Sequence, residues 1–220
     1  MKDTILSVIV IIVILHFLVA DVNKPSLIDF DGAVRSDIPS TAIFIHGMVG
    51  IFKKKRGSGT WGHGMEILED ILNTIESSGI GNECIGVFIG LLGADTDRNT
   101  AVLQLRSFND SFRSLHHKLH ITTQSSQVSL AEFPTLHAMQ VYASMTHMQS
   151  KLLYLHTKGV RKNGINANYP ADWRRYMTYF LVENYPICFE VLDHKHFLTC
   201  GVLRQRGIYA GNFWWTTATH

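Results

Sequence analysis

An α/β domain built on a largely parallel sheet is predicted from residue 41 onwards by two observations. Short, mainly apolar runs recur at residues 41–47, 84–92 and 152–156, and each stops at a glycine or a polar turn, as buried strands do. Between them, residues 65–77 and 133–147 carry helical patterns, and strand–helix alternation at such intervals marks a sheet with helical crossovers. Composition narrows the class further. The 220 residues are 46% hydrophobic and 17% charged, with a net charge of +2. That is too apolar for a disordered chain and too weakly basic for a general nucleic-acid binder. No dominant repeat is present, and the length fits one domain with a short appendage.

Taken in order, the first element is an apolar span at 4–20, TILSVIVIIVILHFLVA, whose one strongly polar side chain is His16. It is short for a membrane-spanning helix and long for the apolar part of a cleaved signal. Being apolar on every face, it does not read as a core helix. The expectation is a signal-anchor of type II topology with the domain in a Golgi- or ER-like lumen, the alternative being a cleaved signal and a secreted chain. Leu18 is a poor match to the small residue that cleavage after Ala20 requires. Lys2, Asp3, Asp21 and Lys24 flank the span without setting its orientation. Residues 21–40, with Pro25 and Pro39, read as a stem.

Residues 41–47 then form the first strand, and 51–64 a loop rich in glycine and lysine. Apolar residues at 65, 67, 68, 71, 72 and 75 build one face of a helix that Gly79 stops. After the strand at 84–92, residues 93–130 read as irregular, with one strand near 118–122. Pro134 sits in the first turn of the helix at 133–147. The third strand, 152–156, runs into Thr157-Lys158-Gly159, and 163–170 form a loop. Asp172 is the expected cap of a helix that reaches about Asn184, ahead of Pro186. A strand is expected within 198–203. The cysteines are Cys84, Cys188 and Cys200. One internal disulfide is the most they allow, Cys188 with Cys200, set against three free thiols, and no CxxC pair supports a zinc ribbon. Asn109-Asp110-Ser111 is a glycosylation triplet that fits a lumenal domain.

Parallel sheets bind ligands at the carboxyl ends of their strands. This directs attention to His46-Gly47, to residues 90–97 and to His156-Thr157-Lys158-Gly159. Lys158 offers a point charge for a phosphate, His156 a hydrogen bond or metal ligand, and Gly159 close backbone approach; the plain alternative is a polar turn. Asp172 is a helix cap or a general base. Arg174 and Arg175 reach phosphates or are solvated. Asp95 and Asp97 have the spacing of a divalent-cation pair, which a polar loop also produces by chance. In Gly211-Asn212-Phe213-Trp214-Trp215, the asparagine can bond sugar hydroxyls and the tryptophans can wall a sugar or base, unless they are core or membrane-facing. The histidines at 116, 117 and 120 and at 194 and 196 have no H-E-x-x-H spacing. Ile43-Phe44-Ile45-His46-Gly47 is not followed by a G-x-S-x-G elbow, which excludes an α/β-hydrolase. Nor does G-K-[ST] follow Gly57-Ser58-Gly59.

The succession LLYLHTKG, DWRRYMTYFL, CGV and YAGNFWW resembles the small GT-A-type glycosyltransferases of algae, large algal viruses and some bacteria. The resemblance covers about residues 41–217, and HTKG, WR–M–YF and GNFWW are its specific parts. It implies a Rossmann-like sheet, a nucleotide-sugar donor and transfer of a sugar to a glycan acceptor, with the membrane as partner through the N-terminal span and no nucleic acid. On that basis His46, His156, Thr157, Lys158, Gly159 and Arg174 are expected around the donor diphosphate. Trp173, Asn212, Trp214 and Trp215 are expected around the sugar or acceptor. Asp172 is the expected catalytic carboxylate, with Glu183 and Asp193 as alternatives. Asp95 and Asp97 are the residues expected to hold a manganese or magnesium ion. Where such enzymes commonly carry D-x-D after the central helix, this chain reads His156-Thr157-Lys158. A lysine there can neutralise the leaving diphosphate without a metal. The resemblance also implies a further helix after the paired tryptophans. A catalytically inactive, membrane-anchored glycan-binding domain is the second expectation, and a membrane-tethered adaptor the third.

Overall fold

A computed structural model describes residues 38–50, 52–53, 60–61, 64–157, 168–194, 197–205, 208–209 and 211–219. The expected span at 4–20, most of the stem, Lys158 and Gly159 lie outside the described residues. No helix among the described residues is long and apolar enough to cross a membrane.

The predicted parallel sheet is present. It has six strands in the order β5 (Leu119–Ser125), β4 (Cys84–Leu92), β1 (Thr41–Met48), β6 (Lys151–His156), β10 (Trp214–Thr217) and β7 (Thr199–Gly201). β1 runs parallel to β4 and β6, and β4 parallel to β5; β10 is antiparallel to both its neighbours. Numbered along the chain, the four parallel strands stand in the order 3-2-1-4 of a Rossmann-type sheet. Two small ribbons lie apart from it, β2 (Phe52–Lys53) with β3 (Thr60–Trp61) and β8 (Arg204–Gln205) with β9 (Ile208–Tyr209).

Side-chain alternation along β1 divides the core in two. Ile43 and Ile45 face the larger layer, which contains Ile67, Leu68, Ile71, Leu72 and Ile75 of α1 (Gly64–Ser78). Ala42 and Phe44 face Met139 and Tyr142 of α4 (Phe133–Met145) on the other side. Successive strand residues point to opposite faces, so β1, buried along its whole length, carries apolar residues on both faces. Gly79, at φ 83°, ends α1 in the left-handed region and opens the one-turn helix α2 (Ile80–Glu83).

Two expectations are corrected. Residues 95–111 are not irregular: they form the helix α3 (Asp95–Ser111). Its buried side is narrow, with Ala101 and Leu105 in the core and Val102, Phe108 and Phe112 packed against it. The spacing 101, 105, 108, 112 is helical, but the polar residues between obscure it. The glycosylation triplet falls in the last turn of this helix. The next helix, α5 (Asn168–Thr178), begins four residues before Asp172, so Asp172 is not its cap. A π-helical turn at Tyr179–Glu183 carries it on to Asn184, as expected, and Pro186 then lies in the first turn of a further helix, α6 (Tyr185–Asp193). A proline is compatible with a first turn because its missing N–H would be unbonded there.

Cys188 of α6 and Cys200 of β7 form a disulfide with Cα atoms 5.6 Å apart, and Cys84 is a buried free thiol. Burial pushes the Cys84 thiol up to about 11, so it stays protonated. The bridge spans a sequence separation of 12, for which loop entropy gives about 3 kcal/mol of stabilisation. Urea unfolding with and without a phosphine reductant is expected to differ by that amount. An unmoved midpoint would mean that the two sulfurs are not joined in solution.

Candidate active site at the carboxyl ends of the central strands

The chain steps outward from β1 to β4 and β5, then α4 carries it back across the sheet to β6 on the other side of β1. That reversal places a topological switch point between β1 and β6, and crevices at such points take ligands. His46 and His156 stand opposite each other in register at the carboxyl ends of these two strands. Thr157 ties the ends together. Its N–H donates to the His46 carbonyl at 2.9 Å, and its hydroxyl accepts the Met48 N–H at 2.8 Å. Thr157 is buried, so it acts as a clasp between strands and not as an exposed phosphate contact.

His46 is buried, with Nδ1 3.1 Å from the Thr135 hydroxyl. Thr135 reaches it across a notch in β4: a Cβ on Gly90, the register partner of His46, would lie 2.1 Å from the Thr135 hydroxyl oxygen. Burial drives the His46 imidazole down to about 4; the nearby Glu132 carboxylate opposes the shift and His156 adds to it. His46 is therefore neutral at neutral pH. It can hydrogen-bond but cannot supply charge to a diphosphate.

Glu132 immediately precedes α4 and is the carboxylate of the cluster. Asn212 Nδ2 donates to its Oε2 at 2.5 Å, and His156 Nε2 is 3.9 Å from its Oε1. The same Nε2 donates to the Gly211 carbonyl at 3.0 Å, which fixes a proton on that nitrogen. The fully buried Tyr154 has no hydrogen-bond partner of normal geometry for its hydroxyl. Desolvation raises the Tyr154 phenol well above its ordinary value, and the Glu132 charge raises it further. Gly211 and Asn212 both adopt positive φ, 86° and 58°. A Cβ on Gly211 would fall 2.1 Å from Met177 Sδ and 2.8 Å from Trp173 Nε1. Glycine is required there by space as well as by φ, and asparagine tolerates the left-handed region at the next position. This turn aims the Gly211 carbonyl at His156 and the Asn212 amide at Glu132.

No family model matches the chain, and neither does any curated protein or solved structure.

The other expected residues are divided by the fold. Trp173 is half-buried beside Gly211 and stacks on Tyr176, at 5.4 Å between centroids. Trp214 is half-buried next to Tyr154, at 5.7 Å. Trp215 is not a ligand wall. It is wholly buried on the opposite face, because adjacent residues of β10 point in opposite directions. Arg174 is drawn to Asp70 of α1, at 3.8 Å. Burial lowers its pKa and Asp70 opposes that. Asp172 is exposed on α5, and Glu183 is exposed at the end of the π-turn. Asp193 pairs with Lys151 at the amino end of β6, at 2.7 Å.

Asp95 and Asp97 lie in the first turn of α3, where Asp95 pairs with Arg98 at 2.5 Å and Asp97 packs against Gly50. That arrangement does not fit a cation site, and no group of three or more potential metal ligands occurs among the described residues. An open groove of about 600 Å³ lies among Glu83, Tyr185, Phe189 and Asp193. It sits at the amino ends of the strands, away from His46 and His156.

Sequence reasoning missed Glu132, Thr135 and Tyr154. A carboxylate one residue ahead of the Phe133-Pro134 helix start was the available signal, since that helix delivers the chain to the strand ending in His156.

Proposed function

We propose that the crevice between the ends of β1 and β6 binds a nucleoside-diphosphate sugar, and that the protein transfers the sugar to a hydroxyl of a glycan acceptor. The observation that carries this reading is the switch point of a 3-2-1-4 sheet with His46, His156, Glu132 and Asn212 gathered at it. The HTKG and GNFWW segments, on which the resemblance to GT-A-type enzymes rests, meet in that cluster through the bond from His156 to Gly211. Sugar transfer builds positive charge at the anomeric carbon and negative charge on the departing diphosphate. Neutral His46 suits a hydroxyl or phosphate oxygen as a hydrogen-bonding group, and Lys158, next in sequence to the Thr157 clasp, supplies the cation. Trp173 and Trp214 flank the cluster with half-buried rings suited to a sugar face. The apolar span at 4–20 and the Cys188–Cys200 bridge support a membrane-anchored domain in an oxidising compartment.

Titration calorimetry on the full chain in detergent tests this, using UDP, GDP, CMP and UDP-sugars with and without manganese. One nucleotide series is expected to bind saturably. Lys158→Ala is expected to weaken that binding by about 1.5–3 kcal/mol, the range for a hydrogen bond to a charged group. A folded chain that binds none of these compounds would remove the reading.

A further inference from the structure

We infer that Glu132 is the general base of the transfer, an assignment that rests on the sugar-transfer reading above. Four observations carry it. Glu132 is the carboxylate that the contacts of the described residues bring to His156 and Asn212. The other acidic candidates make other contacts: Asp172 and Glu183 are exposed on α5 and the π-turn after it, Asp193 pairs with Lys151, Asp95 pairs with Arg98, and Asp97 packs against Gly50. The Glu132 side chain keeps 29% exposure, so an acceptor hydroxyl can reach it, whereas His46 is nearly closed off. Its Oε2 is held by Asn212 at 2.5 Å, and its Oε1 lies 3.9 Å from His156 Nε2. Two positive-φ residues in succession, Gly211 and Asn212, form the turn that makes the Asn212 contact, a conformation that glycine and asparagine are suited to hold.

A carboxylate offers about four lone-pair positions, so the Asn212 bond leaves capacity for a proton. In the step assigned here, the acceptor oxygen forms a bond to the anomeric carbon. The bond from that carbon to the diphosphate oxygen breaks, and its electron pair leaves with the diphosphate. The acceptor proton passes to Glu132 and from its exposed edge to solvent. A single displacement of this kind inverts the anomeric configuration. Asn212 is a positioning residue, since it acts through Glu132, and His156 is one at a further remove, since its bond to the Gly211 carbonyl holds the turn that presents Asn212.

The experiment measures nucleoside diphosphate released by the full chain from UDP-glucose, UDP-galactose, UDP-N-acetylglucosamine and GDP-mannose, with water as the acceptor. Glu132→Gln is expected to bind donor within about twofold of the wild type and to release product about 10²–10⁴-fold more slowly, the range for losing a general base. The acid limb of the pH–rate profile is expected to vanish with it. Formate added to Glu132→Ala is expected to restore part of the rate, which a merely structural role would not allow. This second variant also keeps the test open if glutamine disturbs Asn212 enough to unfold the chain. Undiminished release by Glu132→Gln, loss confined to Asp172→Asn, or a product of retained configuration overturns the assignment alone. A wild-type chain that binds no nucleotide sugar overturns the sugar-transfer reading and the base together.

Discussion

Trp215→Ala is expected to lower the unfolding free energy by about 3–5 kcal/mol, the range for truncating a large buried aromatic, while Trp214→Ala costs about 1 kcal/mol, an ordinary value for a half-buried site. The two residues are adjacent and chemically identical, so the contrast isolates their surroundings. The Trp215 ring is fully buried, meets Phe189 edge-on at 5.1 Å and donates from Nε1 to the Leu181 carbonyl at 2.8 Å. Alanine leaves a cavity and also strips a partner from a buried carbonyl of the π-turn, where the helical ladder is already irregular. Trp214 instead lies over Tyr154 at the edge of the smaller core. Its removal is expected to weaken sugar-nucleotide binding more than binding of the bare nucleotide. Urea denaturation of both variants, followed by calorimetry on Trp214→Ala, checks both parts. Equal stability losses would mean that the two rings share one environment and that β10 is wrongly faced.

Acid is expected to destabilise the fold well above the pH at which carboxylates titrate. His46 has an ordinary value of 6.5 and is held at about 4 in the fold, chiefly by burial. The unfolded chain therefore binds a proton that the native state refuses. Stability from this group is fully present above pH 6.5, falls as pH drops below it, and is lost by about pH 4. The interval corresponds to about 3 kcal/mol. Two other groups act in the same direction. The imidazole of His120 is also lowered by burial. Glu76 is depressed despite some desolvation, because Ser114, Arg113 and Leu115 donate to it, and its contribution is lost only below about 4.5. His46→Asn keeps a group able to bond Thr135 but does not titrate. The difference between wild-type and His46→Asn unfolding free energies, measured from pH 7.5 to 4, is expected to change by about 3 kcal/mol. A flat difference would place His46 in contact with solvent.

Much of the fold was legible because it rests on local patterns. The runs at 41–47, 84–92 and 152–156 are apolar at nearly every position before their polar ends, and the helical face over 65–77 repeats cleanly. α3 escaped because its polar residues outnumber the few that it buries. Part of the site was legible too. The rule that ligands bind at the carboxyl ends of parallel strands singled out His46 and His156 before any contact was known. The rule carries no information about charge state, and burial makes His46 neutral.

The sequence by itself determined the α/β class, the strand ends that bear the site and the short list of aromatic and histidine candidates, since periodicity and strand-ending residues are properties of neighbours in the chain. Only the tertiary structure decided that Cys188 meets Cys200, that Arg174 turns to Asp70, that Trp215 is core while Trp214 packs on Tyr154, and that Glu132 and not Asp172 lies beside Asn212. Each of these depends on which distant segment packs alongside. Residues 132, 156 and 212 share no local pattern; a helix start, a strand end and a left-handed turn bring them together only once the sheet has closed around β1.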